Sequence, residues 1–305
     1  MAAHPHVYFA GRWVTRDEAN VGIGSLALRY AVSVFEGIRL YTRAGQDPQP
    51  RPPRPPRPPR PPRPFLLGEH LSRLADSMAV MRLADPGIGE LPAIISELID
   101  RNQISQDAYV RVAVTPAGPG DLSDEVFPVL SVTAAPMGRK PWLANGTGMS
   151  LQVSDWQRAP EQVLSPAAKN ISGYAGPRLA WLAARDAGYD GCVLTNSRGR
   201  LCEAPTAALF LCAGGALRTP ALTEDVLPSI TRAWILRTAP ELGIPASEDL
   251  LSRADAYQAD EAFLCGTGME FGPIRAFDGK DVAAWPALPV IEALVERYFA
   301  EARGS

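Results

Sequence analysis

Hydrophobic positions recur along this chain with two periods, and the switches between them mark its elements. Val7-Tyr8-Phe9-Ala10-Gly11-Arg12-Trp13-Val14 reads as two short strands around a glycine turn. Residues 25–41 mix strand formers with small residues, and Phe65-Leu66-Leu67 resumes a strand. Leu71, Leu74, Ala75, Met78 and Ala79 fall at helical spacing within 69–81, and Ile94, Ile95 and Leu98 repeat the pattern within 91–99. Residues 109–115 and 129–135 are strands. A second series follows, with strands at 149–153, 191–195, 207–212 and 261–266. Helices are predicted over 176–187 and 288–302, and residues 227–232 lead into another that runs to about 242.

Punctuation between these runs suggests two domains. Residues 136–148, with two prolines and three glycines, read as the linker between a small domain over 1–135 and a larger one over 149–305. An Arg-Pro-rich insertion occupies 49–64 and is essentially an Arg-Pro-Pro repeat from Arg51 to Arg63. Proline removes backbone donors and imposes extended geometry, so neither strand nor helix is expected there. Its position between two strand-like runs makes it an elongated hairpin loop. A ligand for an SH3-type domain and a basic tether for polyanions are the competing readings.

Composition narrows the classes. With 305 residues, 46% apolar and 21% charged, the chain can bury two cores. A net charge of −3 supports neither nucleic acid nor anionic membrane as a partner. No apolar run approaches a membrane span, and the N-terminal residues lack the pattern of a signal peptide, so a cytoplasmic protein is expected. Cys192, Cys202, Cys212 and Cys265 are widely spaced and read as reduced core thiols. Three histidines, none at ligand spacing from Cys or carboxylate, argue against a metal site.

Lysine usage is more informative. The chain has 27 arginines and three lysines: Lys140, Lys169 and Lys280. Arginine serves wherever a solvated positive charge suffices, but it cannot act as an amine nucleophile at neutral pH. Lys280 lies in a polar turn and Lys140 in a basic loop. Only Lys169, in Leu164-Ser165-Pro166-Ala167-Ala168-Lys169-Asn170-Ile171-Ser172-Gly173-Tyr174, has small and apolar neighbours able to desolvate an ammonium. Two readings stand: an imine-forming amine, or a buried stem with a snorkelling head.

An imine-forming lysine often serves pyridoxal phosphate, whose needs can be sought elsewhere in the chain. Its phosphate wants amides at a helix N-terminus, and Ser229-Ile230-Thr231 after Pro228 offers one. Gly266-Thr267-Gly268 is a second small-residue turn, and Arg73 is a candidate cation. The pyridine nitrogen wants a carboxylate. Glu203, among apolar neighbours in Arg200-Leu201-Cys202-Glu203-Ala204, suits it and needs a partner. Tyr174 could meet the phenolic oxygen. Each has a plainer alternative: an N-cap for Ser229, a surface carboxylate for Glu203, a solvated charge for Arg73 and a core ring for Tyr174.

Taken together these residues resemble the fold type IV pyridoxal-phosphate aminotransferases, and within them the branched-chain amino acid aminotransferases. Tyr30 with Val34-Phe35-Glu36-Gly37-Ile38-Arg39 is similar to that subgroup's opening motif, and Tyr109-Val110-Arg111 to its Tyr-x-Arg strand. His70-Leu71-Ser72-Arg73-Leu74 is similar to the helix carrying the phosphate-binding arginine. Ala168-Lys169 with Tyr174 resembles the Schiff-base segment. The run from Glu203 through Leu227-Pro228-Ser229-Ile230-Thr231-Arg232 resembles the long family signature. Two departures stand out. Ala208 occupies a family asparagine position, and Pro136-Met137-Gly138-Arg139-Lys140 lacks the pocket-closing aromatics of many relatives.

The resemblance implies an α/β (α+β) fold of two domains with the cofactor at their interface, in a homodimer or larger assembly. It implies transamination between an L-amino acid, branched-chain or related, and 2-oxoglutarate through a Schiff base on Lys169. Arg73, Ser229, Ile230, Thr231 and Thr267 would hold the phosphate, Tyr174 and Glu203 the ring. Tyr30, Phe35, Arg39, Tyr109, Arg111 and Gly268 would face the substrate. A lyase similar to aminodeoxychorismate lyase, a D-amino acid transaminase and a specialised biosynthetic aminotransferase remain the alternatives, with an interaction protein acting through the Arg-Pro-Pro tract a more distant one.

Overall fold

Alternation along the early strands builds a sheet with one apolar face. A computed structural model describes residues 3–43 and 61–304. Its backbone divides into one unit of Met1–Gly138 with Arg297–Ser305 and a second of Arg139–Glu296. The first unit comprises β1 (His6–Phe9), β2 (Arg12–Thr15), α1 (Leu26–Tyr30), β3 (Val34–Tyr41), β4 (Arg63–Pro64), α2 (Leu67–Val80), α3 (Leu91–Arg101), β5 (Ala108–Thr115) and β6 (Val129–Pro136). Its sheet runs β2-β1-β6-β5-β3-β4 with antiparallel neighbours. Val34 and Ile38 of β3, Val110 and Val112 of β5, and Val132 of β6 form the core with Leu74 of α2 and Ile95 of α3. The opposite face carries the other side-chain register, Phe35, Gly37 and Arg39 beside Ala113, Arg111 and Tyr109.

The second unit contains α4 (Pro141–Asn145), β7 (Met149–Gln157), α5 (Ala175–Asp186), β8 (Gly191–Thr195), β9 (Glu203–Ala204), β10 (Ala207–Ala213), β11 (Ala216–Pro220), α6 (Ile230–Thr238), β12 (Ala246–Asp249), α7 (Arg253–Tyr257), β13 (Glu261–Gly266), β14 (Glu270–Phe277) and β15 (Lys280–Asp281). A mixed nine-stranded sheet runs β12-β11-β10-β13-β14-β7-β8, with β9 on β10 and β15 on β14. The helix α8 (Pro289–Arg303) closes the chain. Its last turns belong to the first unit, where Arg303 holds Asp107 at 2.6 Å and Tyr298 Oη lies 3.4 Å from Tyr41 Oη.

The fold is mixed α+β, as expected, with local differences. Within 25–41, where strand formers mix with small residues, Leu26–Tyr30 is a short helix, because Ser25 accepts from Leu28 N as its cap and Ala31 ends it in the left-handed region. Leu66 and Leu67 do not extend a strand: Leu66 is left-handed and α2 begins at Leu67. Residues 136–148 contain α4, the units divide at Gly138, and 297–305 leave the second unit. Most of the Arg-Pro-rich insertion, residues 49–60, lies outside the described residues. Its end does pair as strand, with Tyr41 opposite Arg63 and Leu40 opposite Pro64 at the sheet edge, where a proline costs no ladder bond. Among the described residues no helix is long and apolar enough to cross a membrane, and no cluster of side chains could hold a metal ion.

One polar knot fastens α2 to β3. Glu36 points to the helix-bearing face and is 1% exposed. Its Oε1 accepts from Arg73 Nε at 2.7 Å and its Oε2 from Arg73 Nη2 at 2.9 Å, with His70 Nδ1 also 2.7 Å from Oε2. Burial alone would raise this carboxyl, but hydrogen bonds from His70 and Arg73 and their charges outweigh it and lower it from 4.5 to about 2. A lowered folded value stabilises the fold above the unfolded value, and that contribution is lost as pH falls toward about 2. Its size is on the order of 3 kcal/mol.

Glu36→Gln removes the carboxylate charge that holds Arg73 and His70 and is expected to destabilise the protein by about 3–5 kcal/mol near neutral pH in denaturant titrations. The gap between wild type and variant should narrow as pH is lowered from 4.5 toward 2. A gap independent of pH would contradict the assignment.

Candidate active site

Lys169 sits in the irregular segment between β7 and α5, and the local turn explains its presentation. Asn170, 2% exposed, accepts from Gly173 N at 2.7 Å and Ser172 Oγ at 3.1 Å, while its own side chain donates to Ala168 O at 3.2 Å. That knot folds the chain back within one turn, so residues five apart meet: Lys169 Nζ donates to Tyr174 Oη at 2.8 Å. The ammonium also lies 5.5 Å from the Tyr174 ring centroid. Lys169 is half-buried, less desolvated than its apolar sequence neighbours suggest.

Glu203 on β9 is buried, which removes the reading of a surface carboxylate. Its partner is Arg158, just past the end of β7, with Nη2 3.0 Å from Glu203 Oε1. The other carboxylate oxygen accepts from Leu227 N at 3.3 Å. Arg158 also donates from Nη1 to Gly173 O and from Nε to Asp225 O, each at 3.3 Å. One guanidinium therefore touches the Lys169–Tyr174 turn, Glu203 and the loop leading to α6. Sequence reasoning missed Arg158. The buried acid signalled that a cation was required, but among 27 arginines no spacing marked which.

Ser229 is the N-cap of α6 and accepts from Arg232 N at 3.3 Å, which is the plainer reading of this serine. Ile230 and Thr231 occupy the first turn and are buried at 7% and 2% exposure. In an α-helix these first N–H groups have no intrahelical acceptor and attract anions. Arg232 anchors the helix, donating to Thr219 Oγ1 at 3.3 Å and Pro220 O at 2.8 Å. Thr267 and Gly268 form the turn between β13 and β14, and the backbone of Gly266 lies against Thr206 and Ala207 beside β9. Ala208, opposite both Glu203 and Cys265 in the ladder, contributes only a methyl at the family asparagine position.

The candidates of the first unit fall on two faces. Phe35, Arg39, Tyr109 and Arg111 share the face opposite the core helices, whereas Arg73 lies with Glu36 on the helix-bearing face. The Arg111 guanidinium stacks 3.8 Å from the Phe35 ring centroid. Tyr109 crosses Gly37 so closely that a Cβ there would meet the phenol oxygen at 1.7 Å. Burial, the largest influence, pushes the Tyr109 hydroxyl up, and the Arg111 charge opposes this, so it stays a neutral donor. Arg39 is a brace: it donates to Met137 O at 2.7 Å and Gly138 O at 3.3 Å, tying β3 to the end of β6. Tyr30 ends α1, off the sheet, with Arg29 5.2 Å from its ring centroid. All four cysteines are buried free thiols, and burial pushes Cys192 and Cys212 to about 11, so none is poised as a nucleophile.

The class IV amino-transferase family model matches residues 33–277. A branched-chain-amino-acid aminotransferase of Salmonella typhimurium is 33% identical over 302 residues, covering 96% of this chain and 92% of that protein. Among solved structures, the branched-chain aminotransferase of Thermoproteus uzoniensis with norvaline has a TM-score of 0.88 at 28% identity, covering 99% of this chain and 96% of that one. The branched-chain amino acid aminotransferase of Thermobaculum terrenum in its PLP-bound holo form also has a TM-score of 0.88, at 26% identity, covering 99% and 95%. With the family model spanning most of the chain, Lys169 and Glu203 among the residues it covers, this protein belongs to the class IV aminotransferases, whose cofactor is pyridoxal 5′-phosphate.

Proposed function

We propose that this aminotransferase exchanges the amino group of an L-amino acid, branched-chain or a related aliphatic one, with 2-oxoglutarate, using Lys169 as the cofactor-bound amine. The observation carrying this reading is that one guanidinium links the Lys169–Tyr174 turn to the buried Glu203. The donor set fits the cofactor: an amine beside a phenol hydroxyl, a buried carboxylate and a buried helix N-terminus. When bound, pyridoxal phosphate supplies a carbonyl that condenses with amines and a ring that accepts an electron pair from the substrate's Cα.

The chain's residues do the rest. Lys169 Nζ would hold the cofactor between turnovers and, once released by the incoming amine, take the proton from the substrate's Cα. Tyr174 Oη, already accepting from Nζ, would orient it. Glu203 would keep the pyridine nitrogen charged through its anionic carboxylate. Ser229, Ile230, Thr231 and Thr267 would receive the phosphate at amides and hydroxyls, with Arg73 as the cation. Tyr30, Phe35, Tyr109, Arg111 and Gly268 are proposed to recognise the substrate, on the strength of their motif, and Arg39 to brace the strand that bears Phe35. A homodimer or larger assembly is proposed too, supported by exposed apolar Ile23, Leu28, Leu122 and Phe127 in the first unit. Reduced, buried thiols suit a cytoplasmic setting.

Borohydride reduction of the cofactor-loaded protein should attach the cofactor to Lys169, as read by peptide mass, and a label on Lys140 or Lys280 would overturn the assignment. Lys169→Ala should lower turnover by roughly a thousandfold or more, and appreciable residual transamination would contradict its proton-transfer role. A panel of L- and D-amino acids against 2-oxoglutarate should rank leucine, isoleucine and valine first; preference for D-amino acids would favour the D-amino acid transaminase, and release of pyruvate from aminodeoxychorismate, assayed separately without 2-oxoglutarate, would favour the lyase. Gly37→Ala should displace Tyr109, cost about 1–3 kcal/mol of stability and raise KM for the amino acid. Unchanged KM would remove Tyr109 from the substrate site.

A further inference from the structure

The Arg158 guanidinium spends all three of its nitrogens on three separate segments. Nη1 donates to Gly173 O beside Tyr174, Nη2 pairs with Glu203 Oε1, and Nε donates to Asp225 O. Its backbone is fixed too, Arg158 N donating to Thr195 O at 2.8 Å at the end of β8. The third contact meets a strained residue. Asp225 is buried and left-handed, with φ +59, a region where a non-glycine residue persists only when its surroundings impose it. Arg158 grips its carbonyl, and Glu161 N donates to its Oδ1 at 3.3 Å. Two residues later Leu227 N returns to Glu203 Oε2, and Ser229 then caps α6. The amine turn, the buried acid and the helix N-terminus are thus joined through one side chain that itself bears none of their chemistry.

We propose that Arg158 is a positioning residue for the cofactor: it holds the Lys169 turn, Glu203 and the approach to α6 in register, and supplies the counter-charge of Glu203. The inference rests on the proposed roles of Lys169 and Glu203. Two properties of the guanidinium are needed, and they separate chemically. Its charge, 3.0 Å from the carboxylate, favours the anionic form of Glu203 against the cost of burial. Its planar fork reaches three acceptors in different directions, which a single ammonium on a narrower head cannot do. The charge governs the protonation of what Glu203 faces; the fork governs how well the segments are arranged before the cofactor arrives.

The test uses full-length wild type, Arg158→Lys and Arg158→Met, each assessed for folding by circular dichroism. Readouts are the Kd of the apo protein for pyridoxal phosphate by fluorescence and the pH dependence of the bound cofactor's absorption. Losing charge-assisted hydrogen bonds should weaken cofactor binding roughly ten- to a hundredfold in Arg158→Met and shift the absorption titration. Arg158→Lys should recover the wild-type titration while retaining weakened binding, because it restores charge but not reach. Wild-type Kd and titration in a folded Arg158→Met would overturn the proposal. If Arg158→Met does not fold, Arg158→Lys decides alone, and wild-type affinity there would overturn the positioning role. Borohydride labelling of the wild type runs in parallel. A label away from Lys169 sinks the underlying reading and this proposal with it, whereas a label on Lys169 with indifferent variants sinks this proposal alone.

Discussion

A carboxylate taken out of water needs a cation beside it, and the candidate site of the second unit is organised by that requirement. Glu203 is useful to a pyridine ring only if it stays charged in a buried position. Arg158 meets it at 3.0 Å, and the same guanidinium then fixes the turn that presents Lys169 and the loop that leads to α6. The cation that the buried acid requires is thus the same group that meets the lysine turn and the loop before α6. Without that pairing, the buried acid would lose a charge that favours its anionic form, and with it part of the influence proposed for it on the ring.

The first unit solves the same problem separately. Glu36 is buried under α2 and held by Arg73 and His70. Here the ion pair orients an arginine on a helix instead of an acid on a strand. On the other face of the same sheet, Gly37 leaves room for Tyr109 to lie across β3, and Arg111 stacks on Phe35. Alternation along β3 and β5 thus separates a helix-packing register from a register of aromatic and basic side chains.

Much of this is legible in the chain because rarity and periodicity are local signals. Lys169 stands out where arginine serves nearly every other basic role, and the spacing of Lys169 and Tyr174 is realised in one turn. Glu203 among apolar neighbours announces a buried acid, and Pro228 before Ser229 announces a helix start. What cannot be read depends on distance. Arg158 looks like any other arginine until the fold brings Gly173, Glu203 and Asp225 around it. The helix α1 is hidden because five residues carry too little periodicity, and its cap and left-handed end decide it. The helical residues 141–145 are obscured by the glycines and proline around them. The strand β14 escapes notice because Gly272 and Pro273 interrupt its pattern, although β13 pairs through both.

The central claim is that Glu203, kept anionic by Arg158, holds the cofactor's pyridine nitrogen protonated. Nitrogen-15 NMR of the protein loaded with ring-labelled pyridoxal phosphate reads that proton directly. A protonated pyridinium signal near neutral pH in wild type, lost in Glu203→Ala, is the result expected. A neutral pyridine signal in wild type, or an unchanged pyridinium signal in Glu203→Ala, would contradict the account.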